Sequence, residues 1–111
     1  MQYMLLIYGN DTEWDQRPDE EKAAIYAEYR DVSETTGIKG GAELQPATTA
    51  TTVRVHDGET LTTDGPFSEA KEVLGGYFLF EATDLDAAID VASRIPAARH
   101  GAVEVRPVVE R

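Results

Sequence analysis

The apolar positions of the chain fall into short, well-separated runs. Met4-Leu5-Leu6-Ile7-Tyr8 is continuous, as in a strand buried on both faces. Gly9-Asn10-Asp11 ends it. Pro18 suits a first helical position, and Asp19, Glu20 and Glu21 then sit at the positive end of the helix dipole. Ile25, Tyr29, Val32 and Thr36 follow at helical spacing, with Gly37 suited to the C′ position. Gly41 to Leu44 is a weak strand segment before Pro46. Thr51 to His56 is rich in β-branched residues, and Asp57-Gly58 separates it from Glu59-Thr60-Leu61-Thr62. That spacing predicts a hairpin, because both central turn positions need positive φ. Asp64-Gly65-Pro66-Phe67 breaks the second strand, and Ser68 to Val73 reads as a short helical piece stopped at Gly75-Gly76. Tyr77 to Glu81 is the next strand. Thr83 with Asp86 predicts a capping box, and Leu85, Ala88, Ile89, Ala92 and Ile95 the inner face of a second helix that Pro96 ends. Val103, Val105, Pro107 and Val109 alternate in a last strand, whose proline predicts its end or a sheet edge.

The order is β-α-β-β-β-α-β, with the middle hairpin as an elaboration. It predicts a single α+β domain over residues 1–111, a ferredoxin-like sandwich with an inserted β-hairpin. Two helices cover only one face of a four-stranded sheet. Period two then leaves Met4, Leu6, Tyr8, Tyr77, Leu79 and Val108 on the other face, with Glu81, Glu104 and Arg106 among them. An apolar face of that kind marks an interface or a ligand groove. The expectation is a homodimer whose two sheets face each other.

Composition narrows the chemistry. The chain carries 10 Lys and Arg against 21 Asp and Glu, a net charge of −11, and no cysteine. Thiolate nucleophiles, thiolate metal sites and disulfides are therefore impossible. Nucleic acid is a poor partner for so negative a chain. The longest apolar run, Tyr3 to Tyr8, is six residues, far short of a membrane span. No cation precedes Arg17, so no basic signal-peptide start is present, and the expected compartment is the cytoplasm. Over half the net charge lies in residues 11 to 34, where nine acids meet three bases. That stretch reads as a solvated helix face or as a patch for a basic partner.

No Gly-x-Ser-x-Gly elbow, P-loop or Gly-x-Gly-x-x-Gly is present. His56 and His100 form no metal-ligand pattern, and no cofactor is expected. His56 is expected at the hairpin tip opposite Glu59, and His100 in a loop. The carboxylates remain as acid/base candidates. Asp64 starts the Gly-Pro turn, where it serves either as an Asx-type turn residue or as a base beside the open sheet face. Arg54 or Arg106 would hold an anionic group there, and Tyr8, Pro66, Phe67, Tyr77 and Glu81 complete the candidate ligand set. Trp14 is a further possible wall, and Glu81 a possible partner of Arg106.

The block Thr63-Asp64-Gly65-Pro66-Phe67-Ser68-Glu69-Ala70-Lys71-Glu72, with Leu74-Gly75-Gly76-Tyr77 after it, resembles the DGPF-motif branch of the YciI-like (YCII-related) proteins. The likeness extends from Tyr3-Met4-Leu5-Leu6-Ile7-Tyr8 to Val103-Glu104-Val105-Arg106-Pro107-Val108. It implies a ferredoxin-like fold and a dimeric α/β barrel. Some relatives are suspected enzymes with a His near the first helix beside an Asp, and one related type resembles a dehydrochlorinase of a chlorinated hydroxyquinol. Here Arg17-Pro18, followed by Asp19 and Glu20, stands where such a His is expected, so Asp64 is the residue carried over. The leading expectation is a homodimer that binds a small anionic or aromatic ligand, with metal-free lyase or isomerase chemistry at the open sheet face. The alternative is a non-catalytic regulatory or interaction protein, since many relatives resemble gene neighbours of extracytoplasmic-function sigma factors.

Overall fold

The computed structural model describes residues 1–111. Six strands and four short or medium helices follow the order β1 (Gln2–Gly9), α1 (Asp11–Asp15), α2 (Asp19–Ser33), β2 (Ile38–Glu43), β3 (Thr51–His56), β4 (Glu59–Asp64), β5 (Val73–Glu81), α3 (Leu85–Ser93), α4 (Ala97–His100) and β6 (Ala102–Pro107). Four strands form one sheet in the order β2-β5-β1-β6, each antiparallel to its neighbours, while β3 and β4 pair only with each other. This mixed α+β arrangement is compatible with a ferredoxin-like fold, the hairpin being inserted between β2 and β5. No helix is long and apolar enough to cross a membrane.

Alternation along β1 decides which face is the core. Tyr3 and Leu5 are buried, and they meet Phe78 and Phe80 of β5 across the ladder. Ala88, Val91, Ala92 and Ile95 close over them from α3 and the turn after it, with Val32 from the C-terminal end of α2. The opposite face carries Met4, Leu6 and Tyr8 beside Leu79, Tyr77 and Leu74, with Arg106 and Glu104 on the β6 side. No helix covers it.

Several local expectations are corrected. A short helix, α1, follows β1, because the Asn10 side chain accepts from the Glu13 N–H at 2.9 Å and caps it. α2 ends at Ser33, so Thr36 lies outside it. Residues 68–72 form bends rather than a helical piece, and β5 begins at Val73 and runs straight through Gly75-Gly76. The register shift between Ile7 and Tyr8 lets Gly75 be skipped in the pairing. Asp84, not Thr83, caps α3, accepting from the Ala87 N–H at 2.9 Å. Its inner face is shifted with it: Val91 is buried, whereas Leu85 and Ile89 are each 49% exposed. Pro96 does stop α3, and it leads directly into α4. Asp57 (φ 49°) and Gly58 (φ 78°) make the tight turn expected of the hairpin, with His56 opposite Glu59.

Candidate functional site

α2 buries two side chains, Ile25 and Val32. Its contribution to the main core cluster is Val32, with Tyr29 stacked on Phe78 at 6.5 Å between ring centroids. Toward its N-terminus the helix stands over β2, whose Gly40-Gly41-Ala42 run brings almost no side-chain volume to fill the gap. The result is a cleft of about 670 Å³ between α2 and the β2–β5–β1 end of the sheet. Ala23, Tyr26, Arg30 and Ser33, spaced as one helical stripe beside the packed one, form its roof. Gly41, Gly75, Gly76 and Phe78 form its floor, and α1 with α4 closes its ends through Trp14, Arg17 and His100.

The cleft is framed by aromatic rings and crossed by one hydrogen bond. Trp14 meets Tyr26 edge to face at 5.3 Å, and the Lys22 ammonium lies 5.7 Å from the Trp14 ring centre. The Tyr26 hydroxyl donates to Glu43 Oε1 at 3.1 Å, linking the helix to the edge strand. Burial first, and then the Glu43 carboxylate, push the Tyr26 phenol above its ordinary value. Burial likewise raises Tyr29, outweighing the opposing pull of the Ala97 backbone and the Arg99 guanidinium. Arg17 is held by Glu21 at 2.5 Å, whereas Arg30, also on the cleft lining, forms no ion pair. α1 is anchored from behind, since Asp11 Oδ2 accepts from the Ala47 N–H at 2.9 Å. Apolar rings with a few titratable groups at the rim suit a small organic molecule, and the volume lies within the range of such sites.

The residues expected to form a site separate into two groups. Tyr8, Tyr77, Glu81 and Arg106 lie along the open sheet face. Tyr8 donates to Glu104 at 3.5 Å, and Arg106 is clasped by the same Glu104. Glu81 takes the Met1 amino group at 3.2 Å; it does not pair with Arg106, because β1 runs between their strands. Asp64, Arg54, Pro66 and Phe67 gather instead at the root of the hairpin. There the Arg54 guanidinium lies over the Phe67 ring at 4.9 Å, and the exposed Asp64 carboxylate makes no hydrogen bond in the turn. Of the eight, only Tyr8 also lines the cleft, and Trp14 walls it as considered. Tyr26, Tyr29, Glu43 and Arg30 were not among the expected residues. The second helical stripe at positions 23, 26, 30 and 33 is the signal that would have drawn attention to three of these, directly or as neighbours.

Comparison with known proteins agrees with this architecture at the level of family. The chain is 34% identical over 117 aligned positions to a protein of Rhizobium meliloti (strain 1021) known only as uncharacterized protein R00369, covering 97% of this chain and 92% of that one. The family model described as YCII-related domain matches residues 1–111, so the chain belongs to the YCII-related family.

Proposed function

We propose that this protein is a small-molecule-binding homodimer that holds its ligand in the cleft beneath α2. The observation that carries the reading is the cleft itself: about 670 Å³, walled by Trp14, Tyr26, Tyr29 and Phe78, with unpaired Arg30 on its rim. A small aromatic or carboxylic ligand fits that chemistry, its ring between the aromatic walls and its anionic group toward Arg30. Any metal-free lyase or isomerase step would draw its proton-transfer groups from Glu43, Tyr26 and His100, in place of Asp64, which stands at the hairpin root. The apolar sheet face opposite the cleft supports self-association, since Met4, Leu6, Leu79 and Tyr77 have no helix over them.

Thermal shift with benzoate, salicylate and catechol tests the ligand site, because a ligand that binds only the folded state raises the midpoint. The expected result is a shift that Tyr29→Ala and Arg30→Ala remove and Asp64→Ala leaves in place. A shift lost in Asp64→Ala and kept in Tyr29→Ala would move the site to the hairpin root.

A regulatory role has one observation in its favour. Of the acids on α2 and its C-cap only Glu21 and Glu28 are ion-paired, to Arg17 and Arg99, which leaves Asp19, Glu20, Asp31 and the cap residue Glu34 facing solvent. A basic transcription-control protein would find a charge partner there. Its binding should weaken steeply as salt is raised, and salt-independent binding would discard the role.

A further inference from the structure

The Asp64-Gly65-Pro66-Phe67 block takes no part in the cleft, yet it is built with care. Gly65 adopts φ +102°, which a residue with a side chain would resist. Its N–H donates to the Ala50 carbonyl at 2.7 Å, and the Thr52 hydroxyl donates to the Gly65 carbonyl at 2.9 Å. These bonds fasten the root of the β3–β4 hairpin. Beyond the root nothing holds it: no residue from Thr51 to Asp64 is buried, and only Thr52 is even half-buried. Val53 and Val55 are 59% and 70% exposed on one side of the hairpin, opposite Thr62 and Thr60. Phe67 at the root is 74% exposed, one ring face taken by Arg54. A lone two-stranded hairpin is marginally stable in water and needs a surface to lie on. This chain supplies none.

Area says how large that surface is. A compact protein of 12.2 kDa exposes about 6,100 Å². This chain exposes 7689 Å², roughly 1,600 Å² more. A standard interface removes about 800 Å² from each partner, so the open surface is large enough for a stable contact. The hairpin, exposed at every residue from Thr51 to Asp64 except Thr52, carries part of it.

We infer that the β3–β4 hairpin is an arm that packs on a second copy of the chain, with Val53 and Val55 as its contact residues. The Asp64–Phe67 block is then the arm's fixed root, setting the direction in which it leaves the body. The inference rests on the homodimer put forward above and extends it: the interface has two parts, the sheet face and the arm. A second copy is the occupant because the sheet face and the arm are both left uncovered, and the open area exceeds what each partner gives up in a standard two-fold contact.

The test is sedimentation of the full chain across a dilution series, with variants in each part. Val53 and Val55 are exposed and lie outside the core cluster, so the double variant Val53→Asp, Val55→Asp should leave the folded body of the protomer intact, which far-ultraviolet circular dichroism checks. It should raise the dimer dissociation constant about tenfold or more, the loss of one interface anchor. Hydrogen exchange should find the amides of residues 51 to 64 protected at high protein concentration and unprotected on dilution. Leu79→Asp weakens the sheet contact and serves as the comparison. If Leu79→Asp dissociates the dimer and the arm variant leaves it unchanged, the arm inference fails while the sheet-face dimer stands. A chain that is monomeric at every concentration overturns both. The ligand shift in the cleft is read separately and decides neither.

Discussion

Tyr26 and Tyr29 are each held above the ordinary phenol value near 10, burial being the first cause for both. A raised value means that the fold favours the neutral phenol. Stability from this source is complete below the unfolded value of about 10 and is lost as pH rises through the folded values. The urea midpoint should therefore hold steady toward pH ~9 and fall above pH ~10, and Tyr29→Phe should flatten that fall. A second residue-scale test concerns the start of α3. Asp84→Ala removes the side chain that accepts from the Ala87 N–H and should cost about 1 kcal/mol, whereas Thr83→Ala should be near neutral, as chemical denaturation would read. Here two adjacent cap-forming residues offered the same start signal, and only backbone geometry chose between them: Asp84 takes the extended conformation of a cap.

At the scale of elements, what the sequence made legible was whatever depends on period and turn chemistry. Alternation in β1 separated Tyr3 and Leu5 from Met4, Leu6 and Tyr8, and Asp57-Gly58 announced the hairpin. Gly75-Gly76 misled, because glycine is read as a break, whereas here the pair lies inside β5 at a register shift. The cleft was illegible for a different reason. It depends on how far α2 stands from β2, where the Gly40-Gly41-Ala42 run leaves the space unfilled. β2 also contains the tightest approach in the sheet. A Cβ at Gly41 would meet the Phe78 ring at 2.7 Å, while one at Gly40 meets nothing within 4 Å. Gly41→Ala should accordingly destabilise by about 1–3 kcal/mol, with Gly40→Ala close to neutral, as measured by denaturant unfolding.

The whole molecule is a plate of 45 × 44 × 18 Å. Its radius of gyration, 15.8 Å, exceeds the roughly 13 Å of a compact chain of this length, and the projecting hairpin is the reason. Each copy carries −11, so two copies repel. Self-association should therefore tighten as salt rises from about 10 mM toward 150 mM, which sedimentation at fixed protein concentration would detect. A dissociation constant that is flat or weakens with salt would place attractive ion pairs in the contact instead. The plate also has two unlike sides: the cleft opens under the helices, and the bare sheet lies behind it. Gly9 and Gly75 line the cleft, and a methyl group at either would meet no atom closer than 3.9 Å. Those two positions can therefore gain bulk and change which molecules are admitted while the opposite side of the plate keeps its residues. Under the proposed function, the fold keeps the part that would select a ligand apart from the part that would meet a second copy, so a lineage could exchange one tenant for another without renegotiating its assembly.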